Sequence, residues 1–473
     1  MTADMAIREA QTTPSKAFFV SMLTRDIDLQ DAILDLLDNC IDGAVRSGPK
    51  PEAPAGKEYF GYSAELSFSK EEFSLVDNCG GIPIGAARER AFRLGRPPSA
   101  HASPGDGKTV GVYGIGMKRA IFKLGRNASV TSNGDDPFRV DIGPGWLDSD
   151  DWRPLTLEDH TPGPDEPSGT KIVVADLIPS IAEDISSVDW VERFRRYLAD
   201  HYALIIDKGF TVRIRASGVS SDPVRPAAFA LAATGDLGSG GVQPFIYRGD
   251  IEGVRVEVYA GLLRKPLTQE EIAEVEGQHS EKSAAGWTIA CNDRVVVSRD
   301  RTHITGWGTA SVPSYHGQYS VIAGMALMYS DDVKSLPLTT TKRGLDGSSS
   351  VYAKILDIMR QATKRLTSFT NDYKTEEARR ELLSEAPPRS LAELRSYDDL
   401  RLVESGRLKG MQVLTPELPK PNATKRTPRI SFSAEQSEID AIRAFFEDDS
   451  LSNNDLGRAA FDHALEAAGF GKK

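Results

Sequence analysis

The sequence predicts an α+β protein of several domains, and three observations predict it. Four short motifs rich in glycine and carboxylates stand at the ends of helix-like and strand-like segments between residues 35 and 170. Strand-like alternation then runs to about residue 300 and gives way to one long amphipathic helix. A strand-like pentapeptide and two helix-like stretches close the chain. At 473 residues the chain exceeds one ordinary core, so two or three domains are expected.

The first motif is Asp35-Leu36-Leu37-Asp38-Asn39-Cys40-Ile41-Asp42-Gly43-Ala44. Ile33, Leu36, Leu37, Cys40, Ile41 and Ala44 recur at helical spacing and form a buried face. Asp35, Asn39 and Asp42 fall at i, i+4 and i+7, on a second stripe that can face a ligand. Asp38 falls on a different face. Taken alone, the segment also reads as an amphipathic surface helix.

The second motif, Val76-Asp77-Asn78-Cys79-Gly80-Gly81-Ile82, follows a strand end at Phe73–Val76. Gly80 and Gly81 permit a tight turn beside Asp77, a carboxylate suited to accepting an amino-group hydrogen bond. The third is Gly111-x-x-Gly114-Ile115-Gly116-Met117-Lys118. Its glycines let backbone N–H groups approach phosphate, a helix begins near Met117, and Lys118 adds a charge. The spacing is neither a Walker A loop nor a dinucleotide fingerprint. Arg96 to Thr109, rich in Pro, Gly and Ser, has the composition of a lid. The fourth, Gly169-Thr170, enters a strand at Lys171-Ile172-Val173-Val174.

The order and content of these four motifs resemble the Bergerat nucleotide fold of the GHKL superfamily, over roughly residues 15 to 375. Gly114-Ile115-Gly116-Met117-Lys118-Arg119-Ala120 looks closest to MORC-like and MutL-like members. The resemblance implies ATP and Mg²⁺ as cofactors. It assigns Asp35 to the attacking water, Asn39 to Mg²⁺, and Asp77 to the adenine amino group. Asp42, Gly81, Gly111, Gly114, Ile115, Gly116, Met117, Lys118 and Thr170 would bind the nucleotide. Asp35 stands where the family usually has glutamate, and Cys79 where it has a glycine, so slow hydrolysis is expected.

The segment Trp287 to Thr302 resembles the transducer strand of MutL and MORC proteins. By that likeness Lys342, in the loop Leu336 to Arg343, would reach the γ-phosphate, with Arg343 its rival. The expected domains are a Bergerat α/β-sandwich over 15–180 and a transducer-like α+β domain over 187–375. A helical exit and linker follow over 376–428, and a strand–helix–helix unit resembling a ribbon–helix–helix module over 429–473, with Ser433 and Gln436 as a capping box. The long helix should start behind Ser348-Ser349-Ser350, with Val351, Ile355, Ile358, Ala362, Leu366 and Phe369 as its apolar stripe.

Composition narrows the partners. Hydrophobic content of 40% and charged content of 26% are those of a soluble globular protein. No apolar run has spanning length, and Met1-Thr2-Ala3-Asp4-Met5 lacks signal-peptide character, so a cytoplasmic protein without membrane contact is expected. Net charge −11 disfavours nucleic acid over the whole surface, leaving the stretch Arg407 to Arg429 as a local basic patch or a solvated linker. Cys40, Cys79 and Cys291 make no disulfide framework or zinc spacing. The implied function is an ATP-gated homodimeric clamp or switch acting on DNA or on a protein client. A chaperone-like ATPase and a non-hydrolysing ATP sensor are the alternatives.

Overall fold

Among the described residues, alternating apolar side chains build two seven-stranded sheets, the first with one core and the second with a core on each face. The computed structural model describes residues 15–93, 115–233, 242–277, 284–339, 344–373, 387–398, 400–406, 408–420, 431, 433–448 and 450–469. Gly111, Gly114, Lys342, Arg343 and the stretch Arg96 to Thr109 lie outside them. Residues Met1–Pro421 form one unit and Asn422–Lys473 a second.

In the first unit, helices α1 (Lys16–Arg25) and α2 (Leu29–Ser47) precede strands β1 (Ser63–Phe68) and β2 (Glu72–Asp77). Helix α3 (Gly116–Leu124) leads into β3 (Gly125–Ser132), β4 (Phe138–Ile142), β5 (Glu158–Asp159) and β6 (Thr170–Leu177). Helix α4 (Val188–His201) and strand β7 (Thr211–Ala216) follow. The sheet order is β5-β4-β3-β6-β2-β1-β7. Neighbours are antiparallel except β7, which lies parallel to β1. The sequence reading gave β7 to the second domain, but it completes the first sheet. Its alternation is real, but which strand it joins is set by tertiary pairing that a local pattern does not encode.

Strands β1 and β2 bury alternate residues. That is the signature of a sheet covered on one face. Leu66, Phe73, Leu75, Val130, Val140 and Val174 share a core with Ile33, Leu36, Leu37 and Ile41 of α2. Those four α2 side chains are at most 1% exposed. Burying each contributes about 1.5–3 kcal/mol, which fixes the rotation of α2 about its axis. Its polar stripe is thereby fixed as well.

The second sheet has the order β12-β11-β13-β10-β9-β16-β15. It comprises β9 (Phe245–Ile251), β10 (Val254–Leu262), β11 (Gly286–Cys291), β12 (Arg294–Asp300), β13 (Ile322–Tyr329), β15 (Arg401–Leu402) and β16 (Gln412–Leu414). Asn292 and Asp293 form the two-residue β11–β12 turn with φ of 45° and 67°, as a hairpin turn twisted to match its strands requires. Helix α5 (Ser350–Asp372) is capped by Ser349, and all six residues of its predicted stripe are buried. Strand β8 (Ala230–Ala232) pairs with β14 (Pro388–Ser390). Residues read as a linker thus supply β14, β15 and β16. These strands are two or three residues long, too short to leave a periodic signal.

The two sheets are joined through buried charge. Arg294 at the start of β12 donates from Nε to Asp38 Oδ1 of α2 at 2.9 Å, and Tyr202 OH donates to the same oxygen at 2.5 Å. Side-chain exposure is 5% for Arg294 and 2% for Asp38. Burial works against the Arg294 charge, but Asp38 more than offsets it and raises the guanidinium pKa. Around this pair, Lys208 bonds Asp293 at 2.7 Å and Arg299 bonds Asp200 at 2.8 Å.

The second unit contains helices α6 (Gln436–Phe446) and α7 (Asn453–Ala467). The capping box is Glu435 with Glu438, not Ser433 with Gln436. The helix therefore begins two residues later than the sequence reading placed it, at Gln436. The expected strand Arg429–Ser433 falls largely outside the described residues.

Candidate functional site

Helix α2 is the spine on which the motifs meet. At its N-terminal half, Asp35 packs against the first turn of α3. A β-carbon on Gly116 would lie 3.3 Å from the Asp35 Cβ and Cγ, so glycine permits this approach. At its C-terminal half, a β-carbon on Gly43 would lie 2.8 Å from the Cys79 carbonyl. Arg46 donates to the Gly81 carbonyl and Ser47 to that of Cys79, both at 3.3 Å. The eight helical steps from Asp35 to Gly43 span about 12 Å of helix, comparable to an extended nucleoside triphosphate.

The second and fourth motifs touch through their backbones. A β-carbon on Gly169 would sit 1.9 Å from the Asp77 carbonyl oxygen, so no larger residue fits. Asp77 Oδ1 accepts from Cys79 N–H at 2.8 Å and Thr170 N–H at 3.2 Å. Gly80 N–H donates to the Ser168 carbonyl at 3.0 Å. Gly81 has φ of 73°, and a β-carbon there would meet Ser132 Oγ and Gly134 N at 2.9 Å. Cys79, at the position the resemblance gives to glycine, does not adopt a positive φ and so keeps its side chain without strain. Its thiol and that of Cys40 are buried and in no disulfide.

Electrostatics distinguish the two ends. Asp77 is 5% exposed, and burial pushes its carboxyl above the usual range. Hydrogen bonds from Cys79 N–H, the Cys40 thiol and Thr170 N–H pull the other way. A carboxylate kept in so dry a place costs stability and suits reading a donor on a base. At the opposite end, α3 has Ile115 as its N-cap and no side-chain cap hydrogen bond. Its first N–H groups form the kind of helix start that binds phosphate.

The remaining predicted residues divide. Asn39 is exposed, and its Nδ2 donates to the Asp35 carbonyl at 2.8 Å. That leaves its amide oxygen suited to a metal. Asp42 is buried on the same stripe and Thr170 is half-buried at the start of β6. Met117 is buried under the first turn of α3.

Lys118 is placed differently from a simple phosphate ligand. It is 3% exposed, and Nζ donates to the carbonyls of Ala91 and Arg93 at 2.7 and 2.6 Å. Burial pushes its pKa down to about 7. In this conformation its charge ties α3 to the segment ending at Arg93. Motif spacing places a lysine in the first helical turn, but the carbonyls that orient it come from 25 and 27 residues away. Sequence reasoning also passed over Arg119, which bonds Asp35 through Nε at 3.1 Å and through Nη2. Its signal was present as a basic residue in the first turn of the helix that follows the third motif.

With this geometry in place, comparison with known protein families gives a match. Residues 27–140 match the family described as histidine kinase-, DNA gyrase B-, and HSP90-like ATPase. The match supports a GHKL-type ATPase domain in this part of the chain. It runs from the start of α2 into β4 and contains the first three motifs. ATPase domains of this superfamily bind ATP, usually with Mg²⁺, and the match supports ATP binding and ATPase-type activity in general terms. No curated protein matches the chain. Among the described residues, no helix is long and apolar enough to cross a membrane.

Proposed function

We propose that the chain is a slow, Mg²⁺-dependent ATPase whose nucleotide cycle gates association of two copies, making it a clamp or switch. The observation that carries this reading is the assembly of Asp35 and Gly116 at one end of α2, and of Asp77, Gly81, Gly169 and Thr170 at the other. Asp77 would accept from the adenine amino group, and Thr170 would line the base. Asn39 would hold Mg²⁺, which when bound neutralises charge on the phosphates. Ile115 to Lys118 would seat the phosphates on the α3 N-terminus. Asp35 would orient water at the γ-phosphate. One methylene less than glutamate shortens its reach and favours slow turnover. The β11–β12 hairpin and α5 belong to a transducer-like domain in this reading, and Lys342 would stabilise charge developing on the γ-phosphate.

A second reading, an ATP sensor that does not hydrolyse, draws on the same short Asp35, whose carboxylate is already engaged by Arg119. One set of samples separates the two. Wild type should hydrolyse ATP, and Lys342→Ala should lose about 10²–10³-fold in turnover with little change in ATP affinity. Asp35→Ala should lose turnover likewise. Wild-type mass, measured by light scattering, should double with Mg–ATP. Turnover equal to wild type in Lys342→Ala removes that lysine from the mechanism. Nucleotide binding without any turnover establishes the sensor.

A further inference from the structure

We propose that Arg119 is a positioning residue for hydrolysis, holding the Asp35 carboxylate in the orientation that presents it to water. This rests on the ATPase reading above. Arg119 lies in the first turn of α3, three residues after Gly116. Its Nε and Nη2 both donate to Asp35 Oδ2. The Asp35 side chain is 4% exposed and that of Arg119 is 14% exposed. An ion pair so withdrawn from water is held far more firmly than a surface pair.

Two charged donors on one carboxylate oxygen hold that oxygen in place. The same carboxylate lies against the α3 first turn, where Gly116 leaves it room to approach. Asp35 is therefore gripped by the very helix whose N-terminus would seat the phosphates. A shorter acid than glutamate has one rotatable bond fewer with which to find the water. Fixing it from a second helix supplies the orientation that length does not. Arg119 acts through Asp35 and need not touch the nucleotide.

The test compares wild type, Arg119→Ala, Arg119→Lys, Asp35→Ala and the double variant Asp35→Ala/Arg119→Ala. Each is measured for kcat, for KM and, by titration, for ATP affinity. Arg119→Ala should lower kcat about 10- to 100-fold, as a misplaced reacting group does. ATP affinity should stay within about 2-fold, because only orientation is lost. Arg119→Lys should recover part of the loss and also guards against an alanine variant that fails to fold. The double variant should be no slower than Asp35→Ala alone, since both substitutions remove one function. Unchanged or faster turnover in Arg119→Ala overturns the proposal, the faster result making the pair a brake. So does a double variant whose loss equals the product of the single losses. If Asp35→Ala turns over like wild type, Arg119 has no reacting carboxylate to position and the proposal falls with the role given to Asp35, whereas a wild type that binds ATP without turnover fails the ATPase reading itself.

Discussion

Replacing Arg294 with alanine is expected to destabilise the protein by about 3–5 kcal/mol. The substitution leaves Asp38 with its charge in a site where the side chain is 2% exposed. On Oδ1 the Tyr202 hydroxyl remains as a donor. The cost is the uncompensated charge more than the lost contact, so removing both charges should be milder. Arg294→Met combined with Asp38→Asn should recover at least about 1–3 kcal/mol relative to the sum of the single changes. Urea unfolding of Arg294→Ala, Arg294→Met, Asp38→Asn and the double variant measures this. Additive losses would show that the two side chains do not act as a pair. The site has a functional edge, because Asp38 is on the helix that carries Asp35, Asn39 and Asp42. The second sheet is thus bonded to the candidate nucleotide helix at a residue beside its polar stripe. A shift of β12 against α2 has a direct route to that helix.

The second large effect concerns Asp77. Asp77→Asn is expected to lower ATP affinity about 100-fold while leaving the fold intact. The amide oxygen can still accept from Cys79 N–H and Thr170 N–H, so the loop keeps its hydrogen bonds. The new amide donor would face the adenine amino group, which is also a donor. A base with a carbonyl in place of that amino group should suffer less, so the ratio of ATP to ITP affinity should fall.

Stability should move the other way. Burial raises the Asp77 pKa, so at neutral pH the ionised group is a net cost. A raised carboxyl pKa favours the folded state below the unfolded pKa, and that advantage is lost as pH rises through the folded pKa. The nucleotide-free Asp77→Asn protein should therefore melt higher than wild type at neutral pH. By the same sign, wild-type ATP affinity should fall on acidification, as protonation turns the acceptor into a donor. A variant that loses both stability and affinity would make Asp77 a structural residue alone.

The parts of this fold that are legible in the sequence are those with a local period. The α2 stripe and the α5 stripe could be placed from spacing, and the strand-like alternation read up to about residue 300 contains β7, β10 and β11. Within the site, the polar stripe of α2 was legible because the apolar stripe fixes its rotation. Partnership was not legible. Nothing near Arg294 points to Asp38, which lies 256 residues away. Likewise β7 alternates as a strand should, but its pairing with β1 is a long-range choice. Lys118 and Arg119 are adjacent in one helical turn, yet one reaches the carbonyls of Ala91 and Arg93 and the other Asp35. Their directions follow from packing on different neighbours.

The account stands on nucleotide binding along α2, and calorimetric titration of ATP into the full chain with and without Mg²⁺ tests it most directly. The account predicts saturable binding of one ATP per chain, tighter with Mg²⁺, and loss of that Mg²⁺ enhancement in Asn39→Ala. Absence of binding by a folded wild-type protein, with Mg²⁺ present and ATP in millimolar excess, would contradict it.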